Sequence, residues 1–114
     1  MKISIALPTY KMVPYGADFL DFSLNKINSQ TYKNINIVIS DHCEDNTIEN
    51  IVDKWSTTLD IKYIKKDYNT SNPSDNMNNA IKNCDGDYIK LLFQDDFLFD
   101  NLSIEHTIDT IIKN

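Results

Sequence analysis

The chain contains no arginine; all eleven of its basic residues are lysine. A diphosphate is commonly held by an arginine fork, a glycine-rich loop or a metal. The missing guanidinium excludes the first, and only Gly16 and Gly86 exist to build the second. A metal is the remaining route for such a ligand. Cysteine is scarce too: Cys43 and Cys84 form no metal-type spacing, and reduced cytosolic thiols are expected. No apolar run is long enough to span a bilayer. Met1-Lys2 leads directly into a strand-like alternation, unlike a secretory leader. Positive charge is in deficit, and a net charge of −6 disfavours nucleic acid and anionic membrane as partners.

What is present reads as one globular domain over residues 1–114. Apolar content of 41% and charged content of 25% are ordinary for a folded domain with a modest core. Lys2 to Leu7 alternates Ile3, Ile5 and Leu7 with small residues and is expected as a first strand, stopped by Pro8. From Asp18, the expected N-cap, to Gln30, Leu20, Leu24 and Ile27 keep helical spacing. Ile35 to Ser40 predicts a second strand, Thr47 to Trp55 a second helix, and Ile61 to Lys65 a shorter strand nearer an edge. The polar stretch Asp67 to Pro73 reads as a loop, and Ser74 as the cap of a third helix with Ala80 and Cys84 on its apolar face. Gly86 then feeds Tyr88 to Phe93, an apolar run expected to be a central strand buried on both faces. A last helix begins near Asn101 to Ser103, with Ile104, Ile108, Ile111 and Ile112 as its stripe. This β-α alternation predicts a three-layer α/β/α sandwich with a mostly parallel sheet.

In a parallel sheet every strand-to-helix loop lies on one edge, where ligands bind. That edge gathers Thr9, Tyr10, Asp41, Glu44, Asp45, Asp95 and Asp96. Two adjacent carboxylates are costly unless a cation or a proton offsets their repulsion. Asp95 and Asp96 therefore read either as a divalent-metal site for a phosphorylated ligand or as acids that cap the next turn. Asp41 either accepts from a ribose or a uracil imide, or caps the loop after its strand. His42 beside Cys43 lacks further ligand-spaced neighbours. Cys84 and Trp55 read as packing residues, and His106 as a solvated side chain on the last helix.

Four segments in order resemble the N-terminal half of family 2 glycosyltransferases of the GT-A fold. Ile5-Ala6-Leu7-Pro8-Thr9-Tyr10 is similar to the family's opening "IPTYN". Phe19-Leu20, followed by Ser29-Gln30-Thr31-Tyr32, resembles its first helix and "QTY" turn. Ile37 to Asp41, with Asp45-Asn46-Thr47, resembles "VVDDGSTDGT". Asp75 to Ile81, Gly86-Asp87-Tyr88-Ile89 and Asp95-Asp96 resemble "NWNKAL…GEYI…DD". The resemblance implies the donor half of an inverting transferase that binds a nucleotide-diphosphate sugar, with a UDP-sugar expected. It implies that Pro8, Thr9 and Tyr10 line the base pocket, that Asp41 holds uracil or ribose, and that Asp95 lies against ribose or sugar. Asp96 would ligate Mn²⁺ or Mg²⁺ at the diphosphate. A saccharide or lipid-linked acceptor, a cell-surface polysaccharide product, and a cytoplasmic location, free or peripheral at the inner face of a membrane, also follow from the resemblance.

The chain departs from the family in places. Phe93 stands at the first acid of the DXD pattern, Lys11 replaces the common Asn, and Ser40-Asp41-His42 replaces Asp-Asp-Gly. Eighteen residues follow Asp96, among them Asp100, Glu105 and Asp109, whereas the family's catalytic base comes from a later segment. Donor binding without efficient transfer is therefore expected, with self-association through an uncovered sheet edge. A phospho-acceptor receiver would need acids after the first strand, where Pro8-Thr9-Tyr10 stands. A non-catalytic binding or scaffold module derived from a transferase remains open beside the enzymatic reading.

Overall fold

A computed structural model describes residues 1–12, 14–65 and 72–113. The elements run β1 (Ile3–Thr9), α1 (Gly16–Asn28), β2 (Ile35–Asp41), α2 (Thr47–Trp55), β3 (Ile61–Lys65), α3 (Pro73–Lys82), β4 (Tyr88–Leu91) and α4 (Ser103–Lys113). The four strands form one parallel sheet in the order β3-β2-β1-β4. This is the expected α/β sandwich. Most of the expected loop from Asp67 to Pro73 lies outside the described residues.

Alternation along the two central strands divides the layers. Ile3, Ile5 and Leu7 of β1 and Ile37 and Ile39 of β2 face one side, packed with Leu20, Leu24 and Ile27 of α1. Ile48 and Val52 of α2 and Ile104 and Ile108 of α4 complete that core. The opposite face is more polar. Ser40 Oγ donates to Asn76 Oδ1 of α3 at 2.7 Å and accepts from Asn79 Nδ2 at 2.9 Å. Ser4 Oγ donates to Asn36 Oδ1 at 2.6 Å, a buried pair that satisfies both groups.

Three local expectations change. Pro8 does not stop β1, which runs on to Thr9 in register with Asp41. The Ala6 carbonyl accepts from Leu92 N–H on the β4 side, so the Pro8 nitrogen two residues on faces that side too, past the end of β4. Its missing N–H therefore costs no ladder bond. Asp18 is not the cap of α1: the helix starts at Gly16, whose N–H bonds the Met12 carbonyl, and Asp18 sits in the first turn. There it complements the helix dipole. In α3 the cap is Asn72 rather than Ser74. Asn72 and Asp75 form a reciprocal capping box with Pro73 at the first helical position.

The largest correction concerns β4. The run expected as a central strand buried on both faces is an edge strand ending at Leu91, with Tyr88, Ile89, Leu91 and Phe93 exposed. The doubly buried strands are β1 and β2. Apolar composition alone does not distinguish these positions in a sheet. β3 is the opposite edge, as expected.

β4 docks on β1 at a glycine. A Cβ on Gly86 would lie 2.6 Å from Ser4 N and 2.7 Å from Ser4 Oγ, which accepts the Gly86 N–H. The Ser4 nitrogen is backbone of β1 and cannot swing away. Gly86→Ala should destabilise the fold by about 1–3 kcal/mol, the usual cost of overpacking. Urea unfolding reads this, and an unchanged midpoint would show that β4 is not clamped here.

Candidate functional site

Both central strands end in buried polar residues at the same edge. Thr9 of β1 faces Asp41 of β2 in register. Asp41 is 0% exposed. Its Oδ1 accepts from Thr9 Oγ1 at 3.2 Å and from Cys43 N–H at 2.9 Å, and its Oδ2 accepts from Tyr63 OH at 2.6 Å. Burial pushes the carboxyl upward from its ordinary pKa, opposed by the Tyr63, Cys43 and Thr9 donors and by Lys65. The Tyr63 phenol is pushed well above its usual range by burial and by the carboxylate it serves. Thr9 is also held through its carbonyl, which accepts from His42 N–H and from the buried Asn76 amide.

Tyr10 leaves β1 across this edge. Its hydroxyl donates to the Pro73 carbonyl at 3.0 Å, and its ring meets His42 edge-on at 5.7 Å between centroids. Its N–H donates to Gln94 Oε1 at 2.7 Å. Pro8, one residue before Thr9, is in register with Ser40. Asp45 organises the neighbouring loop, accepting from the Cys43 thiol at 3.0 Å, from Thr47 N–H at 3.0 Å and from Lys11 Nζ at 2.9 Å. Those donors hold its carboxyl well below the ordinary range, first among them Cys43. A cavity of about 390 Å³ opens between the starts of α1 and α2, lined by Tyr10, Lys11, Met12, Cys43, Asp45 and Ile48 among others.

Asp95 and Asp96 are not on a strand. Phe93 to Asp96 is a turn closed by Asp96 N–H to the Phe93 carbonyl at 3.0 Å, and both carboxylates are exposed. Gln94 is 2% exposed between these exposed neighbours. Its Nε2 donates to the Gly16 carbonyl at 2.7 Å, while Oε1 serves Tyr10. Losing that amide would remove a bond that the Gly16 carbonyl accepts beside its helical one, and would take away the acceptor of the Tyr10 N–H. The acid-bearing turn and the β1–α1 connection are thus tied together.

Each expected site residue therefore lies on the carboxyl edge of the sheet. Thr9 and Asp41 are in contact, and Tyr10 is tied through Gln94 to the turn that carries Asp95 and Asp96. Sequence reasoning missed Gln94, Tyr63 and Asn76. The one available signal was a polar residue at the end of an apolar run, between Phe93 and the acids.

Whether these residues suit a metal is a question of donor number. Among the described residues no group of three or more His, Cys, Asp or Glu side chains could hold an ion. Mg²⁺ and related ions are commonly bound by one or two carboxylates together with substrate phosphates and waters. The exposed pair Asp95 and Asp96 fits an ion shared with a bound diphosphate. It does not fit an ion held by protein groups alone.

Fold and edge define a GT-A-type α/β domain. The family model for glycosyl transferase family 2 matches residues 4–114, and the chain belongs to that family. An uncharacterised glycosyltransferase of Rickettsia conorii is 33% identical over 97% of this chain and 17% of its own length. The poly(ribitol-phosphate) β-N-acetylglucosaminyltransferase TarS of Staphylococcus aureus is 26% identical over 86% of this chain and 17% of TarS. The chain thus spans less than a fifth of either relative. The crystal structure of TarS in complex with UDP matches with a TM-score of 0.85 at 24% identity, covering 99% of this chain and 32% of that one. The mannosyltransferase PcManGT from Pyrobaculum calidifontis, in complex with GDP-Man and Mn²⁺, matches with a TM-score of 0.73 at 17% identity, covering 88% and 29%. At these identities the structural likeness establishes the fold.

The buried Asp41 carboxyl has a pH signature. A carboxyl whose folded pKa is raised binds protons in the folded state before the unfolded one, so its contribution to stability falls as pH rises from the ordinary value of 3.8 through the raised value. Asp41→Asn should remove this decline. Urea unfolding of both proteins across the acid-to-neutral range tests it: the stability difference, wild type minus variant, should shrink as pH rises. A constant difference would mean that Asp41 titrates normally.

Proposed function

We propose that this chain binds a nucleotide-diphosphate sugar, with UDP-sugar as the expected donor, as the donor module of an inverting family 2 glycosyltransferase. The observation that supports the reading is the assembly, on one sheet edge, of Thr9, Tyr10 and Asp41 with an acid pair whose turn is tied to Tyr10 through Gln94. In this reading Pro8, Thr9 and Tyr10 line the base pocket, and Asp41, buried beneath its Thr9, Cys43 and Tyr63 donors, exchanges one of them to accept from uracil or ribose. Asp95 lies against ribose or sugar, and Asp96 is the protein ligand of Mn²⁺ or Mg²⁺ at the diphosphate. That ion supplies Lewis-acid screening of charge on the departing nucleotide. The protein's own part is to orient the nucleoside and to present carboxylates beside the phosphates. The UDP and GDP-Man complexes of TarS and PcManGT support a nucleotide-sugar donor.

Inverting transfer needs a base within hydrogen-bond reach of the acceptor hydroxyl. Asp100 accepts from Leu102 N–H and belongs to the entry of α4, and Glu105 accepts from Thr31 Oγ1. Both already have structural partners, which supports donor binding without efficient transfer by these residues. A saccharide or lipid-linked acceptor and a cytoplasmic site of action complete the reading. The exposed edge of β4 supports self-association.

Calorimetry tests the donor reading. UDP should bind in Mn²⁺ or Mg²⁺ and lose most of its affinity in EDTA, and Asp96→Ala should abolish the metal-dependent part without lowering the melting temperature. Equal affinity in EDTA, or an unchanged Asp96→Ala variant, would refute the metal bridge.

A further inference from the structure

The donor reading gives Gln94 no contact with the ligand, yet it is the most constrained side chain of the turn. It is buried while Phe93, Asp95 and Asp96 around it are exposed. Its amide orientation follows from its partners, because the Tyr10 N–H can only donate and the Gly16 carbonyl can only accept. Those partners stand at the exit of β1 and the entry of α1, so one side chain holds both ends of that connection. Gly16 belongs to the same contact: a Cβ there would come within 3.1 Å of Gln94 Nε2, and glycine leaves the amide its room. The turn itself is closed by the Asp96 N–H, in the same residue that carries the second carboxylate.

A shift of this turn therefore moves the acceptor of the Tyr10 amide. Tyr10 in turn reaches the Pro73 carbonyl with its hydroxyl and His42 with its ring. We propose that Gln94 is a positioning residue that couples the acid pair to the nucleoside pocket, so that charge neutralised at Asp95 and Asp96 tightens the grip of Tyr10 on the base. The coupling rests on the donor reading above, and it makes the two halves of the ligand bind cooperatively even when they are not joined. Energetic coupling between sites is reciprocal, and 5-fold or more is an ordinary size for it.

The test separates the ligand into two probes, uridine and Mg²⁺ with inorganic pyrophosphate. In the wild-type chain, saturating Mg²⁺-pyrophosphate should tighten uridine binding roughly 5-fold or more. In Gln94→Met, which keeps the length of the side chain without its amide, the ratio of the two uridine affinities should fall to about one. A packing role alone would weaken uridine in both arms and leave that ratio intact, which would overturn the proposal. A wild-type ratio of one would also overturn it. A measurement without any variant covers a Gln94→Met chain that fails to fold: Mg²⁺-pyrophosphate alone should slow hydrogen exchange at the Tyr10 amide, and unchanged exchange there counts against the coupling. UDP that binds with metal while uridine ignores Mg²⁺-pyrophosphate defeats the coupling alone. UDP that does not bind at all defeats the donor reading beneath it.

Discussion

Two parallel strands buried along nearly their whole length carry polar residues into a place where water cannot serve them. β1 and β2 run in register from Ile3 and Ile35 to Thr9 and Asp41, and Thr9, Ser40 and Asp41 are all buried. A buried polar group left unpaired costs about 1–3 kcal/mol, more if it is charged. The chain meets this constraint locally. Tyr63 and Cys43 satisfy Asp41, Asn76 satisfies Thr9 and Ser40, and Asn79 adds a further bond to Ser40. The partners come from β3, α3 and the loop after β2, so satisfying the strand ends also fixes the loops around them.

The site inherits its order from that network. The loop after β2 begins at the Asp41 carboxylate and continues to Asp45, where the Cys43 thiol, Thr47 N–H and Lys11 converge. The connection after β1 is held from the other side by Gln94. The Lys11–Asp45 pair is exposed and adds little stability by itself. Its consequence is geometric, because it closes one connection against the other beside Tyr10. Asp95 and Asp96 stay exposed, which keeps their carboxylates available to a charged ligand.

Much of this architecture was legible in the sequence, and particular residues show why. Thr47 to Trp55 and Ile61 to Lys65 form as their patterns expect, because periodicity and β-branched composition agree there. The β-α alternation predicted a parallel sheet with Tyr10, Asp41, Asp95 and Asp96 on one edge, and the parallel topology places them there. Pro8 misled because its lost N–H matters only where a neighbouring strand needs it, which is a property of the sheet. Tyr88 to Phe93 misled because apolar residues occupy both central strands and edges. Tyr63 and Gln94 were silent for another reason: each acts through a contact across distant parts of the chain, Tyr63 to Asp41 and Gln94 to Tyr10. No local pattern records such contacts.

The central claim is that the carboxyl edge of the sheet is one nucleotide-diphosphate site. Backbone amide resonances followed during titration with UDP and Mg²⁺ test it most directly. The account predicts large shifts at Thr9 to Lys11, Asp41 to Cys43 and Gln94 to Asp96, with Tyr32 to Ile35 and Asp60 at the opposite edge unmoved. Shifts confined to that opposite edge, or an acid-pair turn that stays still while the base-facing residues move, would contradict it.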